Sequence, residues 1–212
     1  MRFSGTPVFV TGAASGMGLA VARAFHDEGA IVYGADISDE ALKRSLDDLP
    51  RAIPLAFDIA DSAAVNDAFT RVQSDQGTLG VLVNAAGVNA PNRAALEALN
   101  EENYQGFLAM KEGRRHHPEF LETITDDDFD RVLRINLYGT FYTMRAATPL
   151  LKANGGGAIV NFSSAAALMG VTMPGYYPAS KAAVLGLTRE AAVELAPFNI
   201  RVNSLAPGAV DT

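Results

Sequence analysis

The strongest constraint on this chain is a strict alternation. Short apolar runs (PVFVT from Pro7, AIVYGAD from Ala30, AIPLAFD from Ala52, LGVLVNAAG from Leu79, AIVNFSS from Ala158 and IRVNSLAPG from Ile200) are separated by amphipathic stretches with helical spacing. Near-continuous apolar strands bury both faces, and strands joined by helices pair in parallel. The sequence therefore predicts an α/β chain, a doubly wound parallel sheet with helices on both sides in three layers. With 49% hydrophobic residues, its 212 residues suffice for one core and one domain.

Helix boundaries are marked by capping chemistry. Ser38 and Asp61 or Ser62 precede two helical stretches, Gly29 closes the first, and Thr125 with Asp128 makes a capping-box-like start for a long helix running towards Gly155. A last helix begins near Tyr177 and stops before Pro197. Residues 89–118 break the rhythm. They are expected to form a partly helical insertion with Leu96, Leu99, Phe107 and Leu108 as contacts, acting as a lid or an interface.

In open parallel sheets, ligands bind beyond the carboxyl ends of the strands. The distinctive residues gather there. TGAASGMG follows the first strand, and Gly12, Gly16 and Gly18 let the backbone approach a pyrophosphate at a helix N-terminus. The spacing departs from G-x-G-x-x-G, so the cluster alone is weak. Asp36 ends the second strand, 18 residues after Gly18, where a carboxylate accepts both hydroxyls of an adenosine ribose and repels a 2′-phosphate. No Lys or Arg lies in TGAASGMG or GADISD, so NAD is favoured over NADP. Asp58 ends the third strand and either holds an adenine amino group or caps the next helix.

The stretch GYYPASKAAV offers two tyrosines to one lysine. Helical residues four apart are separated by about 40° around the axis, and residues five apart by about 140°. Tyr177 thus shares a face with Lys181, while Tyr176 packs or lines a wall. A phenol, with an ordinary pKa of ~10, serves as a base near neutrality only beside positive charge, which an ammonium and an oxidised nicotinamide supply.

TGAASGMG, NAAG (Asn84 to Gly87), RINLYGTF, IVNFSSAA, YPASK and RVNSLAPGAVDT occur in this order, and together they resemble the short-chain dehydrogenase/reductase family over essentially the whole chain. The resemblance implies a Rossmann-type fold and hydride exchange between NAD and a secondary alcohol or ketone, with hydroxysteroids and 3-oxoacyl compounds among the candidates. It implies that Ser164 polarises the carbonyl, Tyr177 is general acid or base, Lys181 its partner, and Asn136 the holder of a relay water. Gly12, Ser15, Gly16, Met17, Gly18, Asp36, Ile37, Asp58, Ile59, Asn84, Ala86 and Gly87 would line the dinucleotide together with Tyr177 and Lys181. Pro207, Gly208, Val210 and Thr212 would lie at its nicotinamide end.

Ala85 replaces the second asparagine of NNAG, the insertion is longer than usual, and the family's last substrate-binding loop, helix and strand would lie beyond Thr212. The family also implies a homodimer or homotetramer, with the helices after Thr125 and Tyr177 as faces and Ala182, Ala183 and Gly186 permitting close approach.

Other classes fit poorly. A net charge of −7 disfavours nucleic acid and anionic membranes as partners. The absence of Cys, of H-E-x-x-H and of G-x-S-x-G argues against thiol, metal and elbow-serine chemistry, and no metal ligands are expected. No signal peptide or roughly 20-residue apolar span is evident, so a cytoplasmic location is expected. The basic run KEGRRHHP reads as a solvated loop, with an anion or partner patch as the alternative. The competing function is a dinucleotide-binding regulator without turnover.

Overall fold

The computed structural model describes residues 1–210. Its six strands are β1 (Pro7–Thr11), β2 (Ile31–Asp36), β3 (Ala52–Ala56), β4 (Val81–Asn84), β5 (Gly157–Phe162) and β6 (Ile200–Leu205). All pair in parallel in the order β3-β2-β1-β4-β5-β6. The switch point lies between β1 and β4, where two neighbouring carboxyl ends diverge to opposite halves of the sheet.

Side chains alternate across the sheet. Phe9, Tyr33, Leu82 and Ile159 face one core with Val72 and Leu151. Val8, Val10, Val32 and Val83 face the other with Ala22 and Leu42. The central strand is covered on both sides, so Val8, Phe9 and Val10 are fully buried. The edge strands differ. Pro54 sits in β3, where a residue without an N–H is tolerated, and β6 exposes Arg201 and Asn203.

The helices are α1 (Gly16–Asp27), α2 (Asp39–Leu46), α3 (Ser62–Gln76), α4 (Arg93–Lys111), α5 (Asp126–Leu133), α6 (Gly139–Ala153) and α7 (Tyr176–Leu195). Ser38, Asp61 and Thr125 cap α2, α3 and α5 through their side-chain oxygens. α5 and α6 form one continuous helix interrupted by a π turn over Arg134–Tyr138, in which the Gly139 amide reaches back five residues to Arg134. The insertion is more regular than expected: α4 is a full 19-residue helix. Leu99 is buried, but Phe107 stays exposed, with Lys111 Nζ 4.5 Å from its ring centroid. No helix among the described residues is long and apolar enough to cross a membrane.

Candidate active site

The turn after β1 is built by glycines. Gly12 and Gly16 have φ of +70° and +52°, a region other residues enter at a cost. A side chain on Gly18 would overlap the Gly12 carbonyl, and one on Gly12 would meet the Ala86 backbone at 2.9 Å. The Ala86 amide donates to Thr11 Oγ1 (3.1 Å), which ties the ends of β1 and β4 together. Ser15, in extended conformation, opens α1 without a side-chain capping bond.

A cavity of about 490 Å³ lies over this turn. Gly12, Ser15, Gly16, Met17 and Gly18 form its floor, Asp36 and Ile37 one side, and Asp58, Ile59, Ala86 and Gly87 the other. Asp36 is fixed by the Ala14 and Ser38 amides (3.2 Å each), and Asp58 by the Ala60 amide (2.8 Å). The cap of α3 is Asp61, which leaves Asp58 on the cavity. Arg131, Phe57, Val88 and Ile135 also line it and were missed by sequence reasoning. Arg131 Nε donates to the Pro91 carbonyl at 2.6 Å.

Asn84 does not join them. Its side chain is buried within the sheet, donating to Asn161 Oδ1 (2.9 Å) and accepting from Thr143 Oγ1 (2.7 Å). The β4–β5 register sets Asn84 opposite Asn161, whose Oδ1 takes the Asn84 amide while its own Nδ2 donates to Thr188 Oγ1 (2.9 Å).

Beyond Gly87 the cavity continues into a cleft of about 640 Å³ that Met17 and Gly87 share with Tyr177 and Lys181. Tyr177 in turn lines a further cleft of about 340 Å³ with Ser164, Pro207 and Gly208. Val210 is exposed and lines none of these cavities, and Thr212 lies outside the described residues.

Lys181 is only 5% exposed, and burial lowers its amine pKa to about 8. Its Nζ donates to the Phe162 carbonyl at 2.9 Å, so its hydrogen bond runs to the end of β5 rather than to Tyr177. Ser163 Oγ donates to the Lys181 carbonyl (2.8 Å), holding α7 against the same strand end. Tyr176 is buried at 4% exposed and lines none of these cavities. Ser164 accepts from the Ala166 amide (3.2 Å), and the Ala165 amide donates to the Pro207 carbonyl (2.9 Å), which brings the segment after β6 to the cleft.

Asn136 sits in the π turn, fully buried. Its Oδ1 accepts from the Val88 amide (2.8 Å), and its Nδ2 donates to the Val88 carbonyl (2.8 Å) and to Ser180 Oγ (3.0 Å). Both amide hydrogens are thus engaged, which leaves the second Oδ1 lone pair as the side chain's share in holding the expected relay water.

A family model described as short chain dehydrogenase matches residues 6–212. A 3-oxoacyl-[acyl-carrier-protein] reductase of Thermotoga maritima is 35% identical over 216 residues, covering all of this chain and 77% of that protein. A sorbitol dehydrogenase of Cereibacter sphaeroides is 34% identical, covering 100% and 73%, and a meso-2,3-butanediol dehydrogenase of Serratia marcescens is 34% identical, covering 100% and 74%. Among solved structures, an NAD+-bound xylitol dehydrogenase superposes with a TM-score of 0.83 at 29% identity, covering 100% of this chain and 73% of its own.

Proposed function

Because the chain belongs to the short-chain dehydrogenase family, we propose that it interconverts a secondary alcohol and a ketone with NAD(H). The observation that supports this best is the row of three adjoining cavities, sharing lining residues, from Asp36 past the glycine turn and Gly87 to Lys181, Tyr177 and Ser164. Such a row suits an extended dinucleotide that meets a substrate at its far end.

The residues present fit that cofactor. The backbone of the Gly12–Gly18 turn accepts a pyrophosphate closely, and Asp36 presents a carboxylate to a ribose diol. Arg131, the cation lining this cavity, has its Nε on the Pro91 carbonyl. A 2′-phosphate would therefore meet Asp36 first, which favours NAD over NADP. When bound, the nicotinamide ring supplies the acceptor or donor of a hydride.

The chain's own residues handle the proton. In reduction, Ser164 donates a hydrogen bond to the carbonyl oxygen, and Tyr177 gives the phenolic proton to that oxygen as the C–H bond forms. In oxidation, Tyr177 takes the alcohol's proton. Lys181, buried yet cationic below about pH 8, favours the phenolate that results. Oligomeric assembly through the α5–α6 helix and α7 belongs to the same reading. It is supported by Tyr138 and Phe141, 44% and 40% exposed on one helix.

The test is nicotinamide absorbance over a panel of ketones and secondary alcohols, with two variants. Tyr177→Phe is expected to lose roughly 10²- to 10⁴-fold in kcat/KM, whereas Tyr176→Phe stays within about threefold, its hydroxyl making no hydrogen bond among the described residues. Equal rates in the two variants would remove the assignment of the proton to Tyr177.

A further inference from the structure

The inserted helix α4 carries one stripe of residues that the reaction accounts for only at one end. Asn100, Asn103, Gly106 and Met110 are spaced three, three and four apart, so they share a face. Leu99, Asn100 and Asn103 line the cleft that holds Ser164 and Tyr177. Asn103, Gly106 and Met110 line a second cavity of about 410 Å³, and Thr172 also belongs to both. One groove therefore runs along α4, extending about 9 Å between Asn100 and Gly106 at 1.5 Å per residue.

The far end of that groove is basic, in a chain whose net charge is −7. Its other wall is Arg114, Arg115, His116 and His117, with the carboxylate of Glu102 also lining it. His116 is held in place: Nε2 lies 2.6 Å from Glu102, and its ring edge is 3.6 Å from where a Gly106 side chain would begin. Arg114 pairs with Glu112. Arg115 and His117 have no side-chain hydrogen bond or ion pair among the described residues, so the Arg115 guanidinium has all its donors available. A planar guanidinium matches carboxylate and phosphate oxygens two at a time.

Resting on the carbonyl-reductase reading above, we propose that the substrate carries an anionic end group, a carboxylate or a phosphate. Arg115 binds that group while the carbonyl lies at Tyr177. The run KEGRRHHP, expected to be a solvated loop, is then the specificity element of the insertion. Its basic side chains act because α4 leads from the reacting carbon to them.

Three matched ketones, each made in several chain lengths, test this: one with a neutral end, one ending in a carboxylate, one in a phosphate monoester. For the unaltered protein, kcat/KM should favour an anionic ketone over the neutral one, and the better of the two anions identifies the group. In Arg115→Gln the anionic-to-neutral ratio should fall about three- to tenfold, and Arg115→Lys, which keeps the charge but not the planar fork, should restore only part of it. An unchanged ratio in Arg115→Gln, with the neutral ketone still reduced, overturns the proposal and leaves the redox reading standing. If no ketone is reduced, the redox reading falls. Calorimetric titration of the keto acid into the NADH-loaded protein then decides the anion site: equal affinity in Arg115→Gln rejects it, and three- to tenfold weaker binding upholds it.

Discussion

Replacing Lys181 with methionine should stabilise the fold while abolishing turnover. The amine is 5% exposed, and burial has lowered its pKa from 10.5 to about 8. At 1.36 kcal/mol per decade, keeping it protonated at pH 7 costs the folded state about 3 kcal/mol. Methionine fills a similar volume without charge, but the Phe162 carbonyl loses the donor now 2.9 Å away, at a cost of about 1 kcal/mol. The net gain is about 2 kcal/mol, or roughly 4–8 °C in Tm for a chain of this size. The pH dependence identifies the cause. Below about pH 8 both folded and unfolded lysines are charged, and the penalty is fully present. Between about 8 and 10.5 the folded chain binds fewer protons than the unfolded one, so the unaltered protein gains stability with rising pH. The advantage of Lys181→Met should shrink across that window and reverse above it, where only the lost hydrogen bond remains. Urea titrations of both proteins at pH 7, 9 and 10.5 measure this difference. A methionine variant less stable at pH 7, or a difference that ignores pH, refutes the argument. The same variant should lose at least about 100-fold in kcat/KM with any accepted ketone.

Two other outcomes are expected. Asp36→Ala should raise the KM for NAD about tenfold and move the NADP-to-NAD preference by at least as much towards NADP; steady-state kinetics with both cofactors would show an unmoved preference if Asp36 did not face the ribose. Phe141→Asp places a charge on the exposed aromatic stretch of the α5–α6 helix and should shift sedimentation at micromolar concentration from oligomer to monomer. A variant that sediments like the unaltered protein would move the interface elsewhere.

The sheet was legible because double-sided burial forces apolar runs, and the caps because Ser38, Asp61 and Thr125 offer oxygens where helices leave amides unpaired. The distinction between Tyr176 and Tyr177 was legible from helical rotation alone. Other features depended on contacts between distant segments. Asn84 belongs to a motif read as cofactor-lining, but the β4–β5 register pairs it with Asn161, 77 residues away. Arg131 reaches the cavity over the glycine turn because α5 lies beside Pro91, which nothing in its local sequence announces. The full length of α4 was obscured by Gly106 and by an apolar pattern too weak to mark one face, and Phe107 falls on its exposed side.

Asn136 shows why the reaction end must be assembled from the far half of the sheet. The π turn gives the α5–α6 helix one extra residue per turn at this point, re-aiming the asparagine relative to a regular helix. The amide thereby reaches both Val88, just past β4, and Ser180 on α7. Ser180 Oγ donates in turn to the Tyr177 carbonyl at 2.7 Å, so one buried side chain fixes the first turn of the helix that carries Tyr177. Gly87 makes room for this: a side chain there would begin 3.0 Å from both Asn136 Oδ1 and Lys181 Nζ. The absence of one β-carbon thus lets the end of β4 close on the asparagine and the lysine together. Since buried amides left half-paired are costly, the network holds as a unit. The Asn136 side chain thus fixes the turn that carries Tyr177, and any water that side chain holds must use the one Oδ1 lone pair that Val88 leaves free.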